Sequence, residues 1–312
     1  MDVRQLATLV AIADHGTFSA AARSLYTVQS NVSGHIARLE KELGVTLVDR
    51  AQGGLTEEGV RVVERARRVL NEIDDITADM ASRDADISGQ TRIGVIGTTA
   101  RWLMPQFLSR LGEEHPNVRA IVQEGSTSSL VPNVLGGQLN GAIVHLPVDD
   151  PDLVIEPLFA EDLLLLANEH HPLATRDLIP LEDLDDIPLL LPPTGSALRR
   201  VLERAAASSG VTLRAQAEVD GVGLLASLAF DGFGAAIVPA TAVPTSPNGS
   251  FRRITVPELP RRVVAFIRRR RPSSSAPTLA AVETLQAVTQ EQGAQQHGVY
   301  PDAAALPFAR TR

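Results

Sequence analysis

Between residues 4 and 15, Leu6, Leu9, Val10 and Ala13 recur at helical spacing, and Gly16 is placed to close that helix in a left-handed cap. Ser19 is a good N-cap for a second, alanine-rich helix from Ala20 to Tyr26. Thr27 or Ser30 can cap a third, whose apolar positions Val32, Ile36, Leu39 and Leu43 precede a terminating Gly44. Weak alternation from Val45 to Asp49 and the Gly53-Gly54 turn predict a small β-wing. A long helix then starts at Thr56, with Glu57 and Glu58 in its first turn, where acids suit the helix dipole. Val63, Ala66, Leu70, Ile73, Thr77 and Met80 alternate steps of three and four, a heptad seam widened by Val62, Val69 and Ile76. Such a helix packs either on its own copy or on its own C-terminal domain; the seam favours a dimer.

Arg83 to Gln90 is a polar break and reads as a hinge. From Thr91 onward short apolar strands alternate with helices, the pattern of an α/β sheet, mainly parallel. The breaks between units suit two lobes rather than one. The expected layout is an all-α winged helix-turn-helix over 1–58, a linker and dimerisation helix with its hinge over 59–88, and a two-lobed α/β domain over 89–290. Its lobes are about 91–161 with 263–290, and 162–262. Residues 291–312 read as a disordered tail.

The chain has 312 residues and no cysteine, which excludes a disulfide framework, a thiolate metal site, a cysteine nucleophile and thiol redox sensing. No signal peptide is read at the N-terminus, and no apolar run approaches the ~18 residues that span a bilayer. A cytoplasmic location without membrane contact is expected. Net charge is −8, which argues against a generally sticky nucleic-acid binder. There is no Walker loop, G-x-S-x-G, dinucleotide fingerprint or HExxH, so neither an enzyme nor a cofactor or metal protein is expected. His15 sits at a helix C-terminus, and His170-His171-Pro172 reads as a loop.

"HGTFSAAARSL" (His15 to Leu25), then Gln29, Ser33, Ile36, Leu39, Glu40, Leu43, Gly44, Leu47 and Arg50, then "LTEEG" (Leu55 to Gly59), follow one another without a gap. Together they resemble the winged helix-turn-helix of LysR-type transcriptional regulators. "FDGFGAAIVPA" (Phe230 to Ala240) is similar to the family's late glycine-rich turn and strand. The resemblance implies a linker helix and a two-lobed domain like periplasmic binding proteins. Ser30, Gly34 and Val48 depart from residues common in the family. The expected DNA-reading set is Ser19, Gln29, Ser30, Asn31, Ser33, Gly34, His35, Arg38 and Arg50. Gln29 and Asn31 can each bond adenine through two atoms, and Arg38 and Arg50 are phosphate contacts. Residues 1–58 carry five basic and seven acidic side chains, a net of −2. One such module binds DNA weakly by charge alone, so at least two acting together are expected.

Ligands of α/β lobes sit beyond strand C-termini, near helix starts. Thr98, Thr99, Ser126, Thr127, Thr194, Gly195 and Ser196 stand at such junctions, with Asp220 and His145 as weaker candidates. By resemblance these residues surround an effector between the lobes. The hydroxyl-rich helix starts favour an anion; Glu124 and Asp220 favour equally a group with donors. The expected partners are a promoter inverted repeat in double-stranded DNA, a second copy or three copies of the chain (homodimer or homotetramer), a small-molecule effector and RNA polymerase. The Arg268–Arg271 run reads as solvated, with DNA or a partner as the alternative.

Overall fold

The computed structural model describes residues 1–49, 54–81, 87–243 and 251–301. Helices α1 (Val3–His15), α2 (Phe18–Ser24) and α3 (Gln29–Leu43) close over Leu9, Ile36, Leu39 and Leu47, all fully buried. Strands β1 (Val48–Asp49) and β2 (Gly54–Leu55) form the antiparallel wing. Asp2 caps α1 in a reciprocal box with Gln5, and Gly16 and Gly44 end α1 and α3 at φ 74° and 71°. Two expected caps change. Thr17, not Ser19, caps α2, and Ser19 stands exposed on the surface. Val28 occupies the cap position of α3 and has no side-chain acceptor to offer, while Thr27 accepts from Asn31 Nδ2 at 3.0 Å.

The linker helix α4 (Glu57–Ala81) starts at Thr56, whose hydroxyl accepts from Gly59 N–H at 3.0 Å. Its apolar surface serves two masters. Val63 and Ala66 are buried in the N-terminal module, and Leu70 is half-buried, so the predicted seam does not run the whole helix. Val69, Ile73, Ile76 and Met80 stay exposed and form an open stripe, with Thr77 beside it. Of the two expected arrangements, packing on a copy or on its own C-terminal domain, the structure shows the second over part of the helix. Asn71 Nδ2 donates to the Gly137 carbonyl at 2.6 Å, Asp75 accepts from Ser275 Oγ at 3.0 Å, and Asp79 accepts from Ala276 N–H at 2.8 Å. Burial pushes the Asp75 carboxyl up from its ordinary range.

The C-terminal domain continues with β3 (Gly89–Val95), α5 (Gly97–Glu114), β4 (Val118–Glu124), α6 (Thr127–Leu135), β5 (Gly141–His145) and β6 (Leu153–Glu161). The second lobe holds β7 (Leu163–Asn168), β8 (Pro188–Leu191), α7 (Ala197–Ser208), β9 (Arg214–Glu218), α8 (Val222–Phe230), β10 (Ala235–Pro239) and β11 (Phe251–Thr255). The chain returns to the first lobe as β12 (Arg262–Arg269), α9 (Ala276–Gln295) and β13 (Val299–Tyr300). The sheets run β13-β6-β12-β5-β3-β4 and β11-β7-β10-β8-β9. Parallel pairing is confined to β4-β3-β5 and β9-β8-β10; the other pairs are antiparallel. The chain crosses between lobes after β6 and again before β12, which brings those strands in against the parallel direction.

At the crossing, Glu161 is fully buried and Arg262 nearly so. Glu161 Oε2 accepts from Thr241 N–H at 3.0 Å and Oγ1 at 2.8 Å, while Oε1 accepts from Arg262 Nη2. The supposed tail is a correction over its described part. Helix α9 continues to Gln295, and β13 pairs with β6. Gln296 Nε2 donates to the Ala240 and Val243 carbonyls, each at 2.9 Å, and Tyr300 O–H donates to Asp162 at 2.7 Å. This segment is held by hydrogen bonds to the crossing between the lobes and by Val299, which packs into the first lobe's core. Residues 302–312 lie outside the described residues. Arg268 bonds Glu156 at 2.8 Å, and Arg270 donates to the Pro151 and Leu153 carbonyls, so half of the arginine run is engaged within the fold. No helix among the described residues is long and apolar enough to cross a membrane.

Candidate nucleic-acid interface and inter-lobe cleft

Gln29, Ser30 and Asn31 are all exposed in the first turn of α3. Val32, Ile36 and Leu39 on the opposite face anchor the helix. Ser19 Oγ donates to Gln29 Oε1 at 2.8 Å, so Ser19 holds the Gln29 side chain in place. Ser33 and Gly34 are half-buried, and the space where a Cβ of Gly34 would stand is open. Arg38 is exposed on the same surface. His35 is half-buried, its Nδ1 lying 3.1 Å from Thr8 Oγ1 of α1. Helical geometry explains this, since His35 adjoins Ile36 at the buried edge. Arg50 lies outside the described residues. Tyr26 escaped the sequence reading. It is 98% exposed at φ 51°, in the turn that enters α3.

In the C-terminal domain, α5 touches α8 of the other lobe, so helix starts from both lobes meet. Thr98 and Thr99 are buried in the first turn of α5, and the Thr99 hydroxyl has no hydrogen-bond partner among the described residues. Ser126 caps α6, and Thr127 Oγ1 accepts from His145 N–H at 3.1 Å. His145 Nδ1 is buried and unpartnered, and burial next to the positive Arg262 holds its imidazole well below the usual range. In the second lobe Thr194 donates its hydroxyl to Glu218 at 2.8 Å and its N–H to the same carboxylate at 3.3 Å. Those bonds hold the Glu218 carboxyl below its ordinary range. Ser196 caps α7 by accepting from Arg199 N–H at 3.2 Å, and Gly195 turns at φ 84°. The loop that leads into α7 is thus supplied with an internal carboxylate. Asp220 is exposed ahead of α8.

Arg101 and Glu124 matter more than their sequence context suggested. Glu124 lies against Gly97, where a Cβ would come within 2.5 Å of its Oε1. Arg101 reaches the other lobe and covers Gly223, where a Cβ would meet the guanidinium at 2.5 Å. Glycine at these two positions is what admits the charged groups.

Comparison with known proteins matches the LysR substrate binding domain to residues 84–290 and the bacterial regulatory helix-turn-helix of the lysR family to residues 3–60. The chain is 32% identical over 247 residues to the DNA-binding transcriptional dual regulator OxyR of Escherichia coli, covering 78% of this chain and 81% of that protein. It is 34% identical over 256 residues to a probable hydrogen peroxide-inducible genes activator of Streptomyces viridosporus, covering 80% and 81%. Among solved structures, a full-length OxyR cysteine variant from Pseudomonas aeruginosa superposes with a TM-score of 0.70 at 25% identity, covering 93% of this chain and 95% of that one. Full-length BenM gives a TM-score of 0.56 at 25% identity, covering 94% and 98%. These relatives are regulators, not enzymes. The chain belongs to the LysR family of DNA-binding transcriptional regulators, with an N-terminal helix-turn-helix and a C-terminal effector-binding domain.

Proposed function

We propose that the chain reads an inverted repeat through Gln29, Ser30, Asn31 and Ser33 of α3, with Arg38 and Arg50 on phosphates and Ser19 positioning Gln29. The observation that carries this reading is the polar, fully exposed first turn of α3 above a buried apolar face. α3 has no side-chain cap, so no side chain of its own stands between its first amides and a phosphate or a base edge. With a net charge of −2 over residues 1–58, two modules must act together, and the open stripe Val69, Ile73, Ile76 and Met80 on α4 is the dimer seam. The protein works in the cytoplasm. Contact with RNA polymerase would follow from promoter binding.

The effector site is the cleft around Thr98, Thr99, Thr127 and Asp220. Several relatives are named for induction by hydrogen peroxide. This chain has no cysteine, so sulfenic acid and disulfide chemistry are closed to it. Its effector is therefore a reversibly bound small molecule. A gel shift with the DNA upstream of its own gene tests the regulator reading. A salt-sensitive, sequence-specific complex with a dimer is expected; no specific complex at low salt overturns it.

A further inference from the structure

The segment entering α3 breaks two local rules within three residues. Helix α2 closes with a pair of backbone bonds: Tyr26 N–H donates to the Arg23 carbonyl at 3.2 Å, and Thr27 N–H to the Ala22 carbonyl at 2.9 Å. That closure needs one residue in the left-handed region, where glycine is the usual choice. Helices α1 and α3 end in that way on Gly16 and Gly44. Helix α2 ends on Tyr26, at φ 51°. A side chain there costs stability that glycine would not. Two residues later Val28 takes the cap position of α3, its carbonyl accepting from Asn31 N–H at 3.0 Å. Serine, threonine, asparagine or aspartate would stabilise that start, and valine offers no acceptor.

Neither side chain gains packing in return. Leu25 and Val32, on either side of them, pack in the core of the N-terminal module, whereas Tyr26 is 98% and Val28 59% exposed, outside it. Single exposed apolar residues are ordinary; these two differ in their place. Thr27 between them accepts from Asn31 Nδ2 at 3.0 Å, and Gln29 follows directly, so both stand where the chain enters the polar first turn of α3. Departures from local rules gather where a surface has another use. Beside a turn that meets base edges, an apolar side chain has two matching surfaces on DNA: the thymine C5-methyl in the major groove and the deoxyribose of the backbone. With a net charge of −2 over residues 1–58, affinity from such uncharged contacts counts for more.

Building on the reading of α3 as the recognition helix, we propose that Val28 is a specificity-determining contact to DNA and Tyr26 the positioning contact beside it. Val28 packs against the C5-methyl of a thymine next to the base pair met by Gln29. Tyr26 lays its ring on the neighbouring deoxyribose and donates its hydroxyl to a phosphate. Each half-site therefore carries a thymine that is recognised by its methyl group and not by a hydrogen bond.

The test uses the full-length protein and a duplex that it selects from random-sequence DNA. Each thymine is replaced singly by deoxyuridine, which pairs identically and lacks only the methyl. One replacement per half-site is expected to weaken wild-type binding by about fourfold, the worth of one buried methyl. Val28→Ser should bind that duplex and the unmodified one alike. Tyr26→Phe should bind about tenfold more weakly than wild type, the worth of a hydrogen bond to a charged group. Its salt dependence should not change, because a neutral donor releases no counterion. Val28→Ser and Tyr26→Gly should melt no lower than wild type by circular dichroism, since each restores a residue type that the backbone there suits. A merely structural role would lower both binding and melting. If every deoxyuridine duplex weakens wild type and Val28→Ser in the same ratio, or if Tyr26→Gly binds as tightly as wild type, the proposal is overturned. Gln29→Ala separates that failure from failure of the α3 reading. Loss of binding in Gln29→Ala without any methyl effect overturns this proposal alone, whereas Gln29→Ala binding like wild type overturns the α3 reading and this proposal with it.

Discussion

Glu161→Gln changes one atom in the crossing between the lobes, and its cost can be worked from the surroundings. Glutamine keeps an oxygen for Thr241, whose N–H and hydroxyl both bond Glu161 Oε2. The loss falls on Arg262, whose side chain is 9% exposed and keeps its charge without a counter-charge. Removing one partner of a buried pair costs about 3–5 kcal/mol, mostly through the stranded charge. The residual exposure of Arg262 places the expected cost at the lower end, about 3 kcal/mol. For a domain of this size the melting temperature falls by about 2–4 °C per kcal/mol, so a drop of roughly 6–12 °C is expected. Trp102 packs edge-on against Phe159 with centroids 5.1 Å apart, on β6 itself, so its fluorescence reports this domain and not the helix-turn-helix. Arg176→Gln is the control. Its pair with Asp183 is about half exposed on both sides, and exposed pairs contribute below about 1 kcal/mol. Adding Arg262→Met to Glu161→Gln should recover much of the loss, because it removes the stranded charge. If the single substitution melts no lower than Arg176→Gln, or if the double one melts lower still, the buried pair is not what holds the crossing.

Ile73→Asp with Ile76→Asp should convert dimers to monomers in sedimentation and abolish specific DNA binding, while the Trp102 melt stays in place; persistent dimers would move the seam elsewhere. Gly59→Ala should destabilise the N-terminal module by several kcal/mol, because its Cβ would lie 2.0 Å from the Leu47 carbonyl oxygen; thermal unfolding followed by circular dichroism checks this. His145 is held neutral in the fold, so the unfolded chain binds more protons below its own pKa of about 6.5. Stability is therefore complete above that value and declines as pH falls toward the depressed folded pKa; His145→Asn should flatten the Trp102 melting temperature between pH 7 and 5.

The helix-turn-helix was the most legible part of the chain because its information is local. Val32, Ile36 and Leu39 mark the buried face of α3 by spacing alone, and Gly16 and Gly44 mark the helix ends by a backbone conformation that suits glycine. The two-lobed α/β domain was legible as a class for the same reason, since the alternation of apolar runs is written strand by strand. Orientation around α3 was less so: His35 sits one residue before a core position, and only packing against Thr8 decided that it is half-buried.

What the sequence by itself determined is most of the elements, the polar first turn of α3 and the absence of any thiol. Only the tertiary structure decided which of two overlapping stripes on α4 stays open, because Val63 and Ala66 are claimed by the N-terminal module and Asp75 and Asp79 by the effector domain. It also decided that the segment after Gln295 is ordered, through Gln296 and Tyr300 bonding Ala240 and Asp162 at the lobe crossing, far away in sequence. The cleft belongs to the same category. Gly97 and Gly223 are unremarkable in the chain, yet each makes room for a charge, Glu124 and Arg101, brought from another element. Periodicity records what one element does with its own faces; it carries no record of which distant side chain fills the space a missing Cβ leaves.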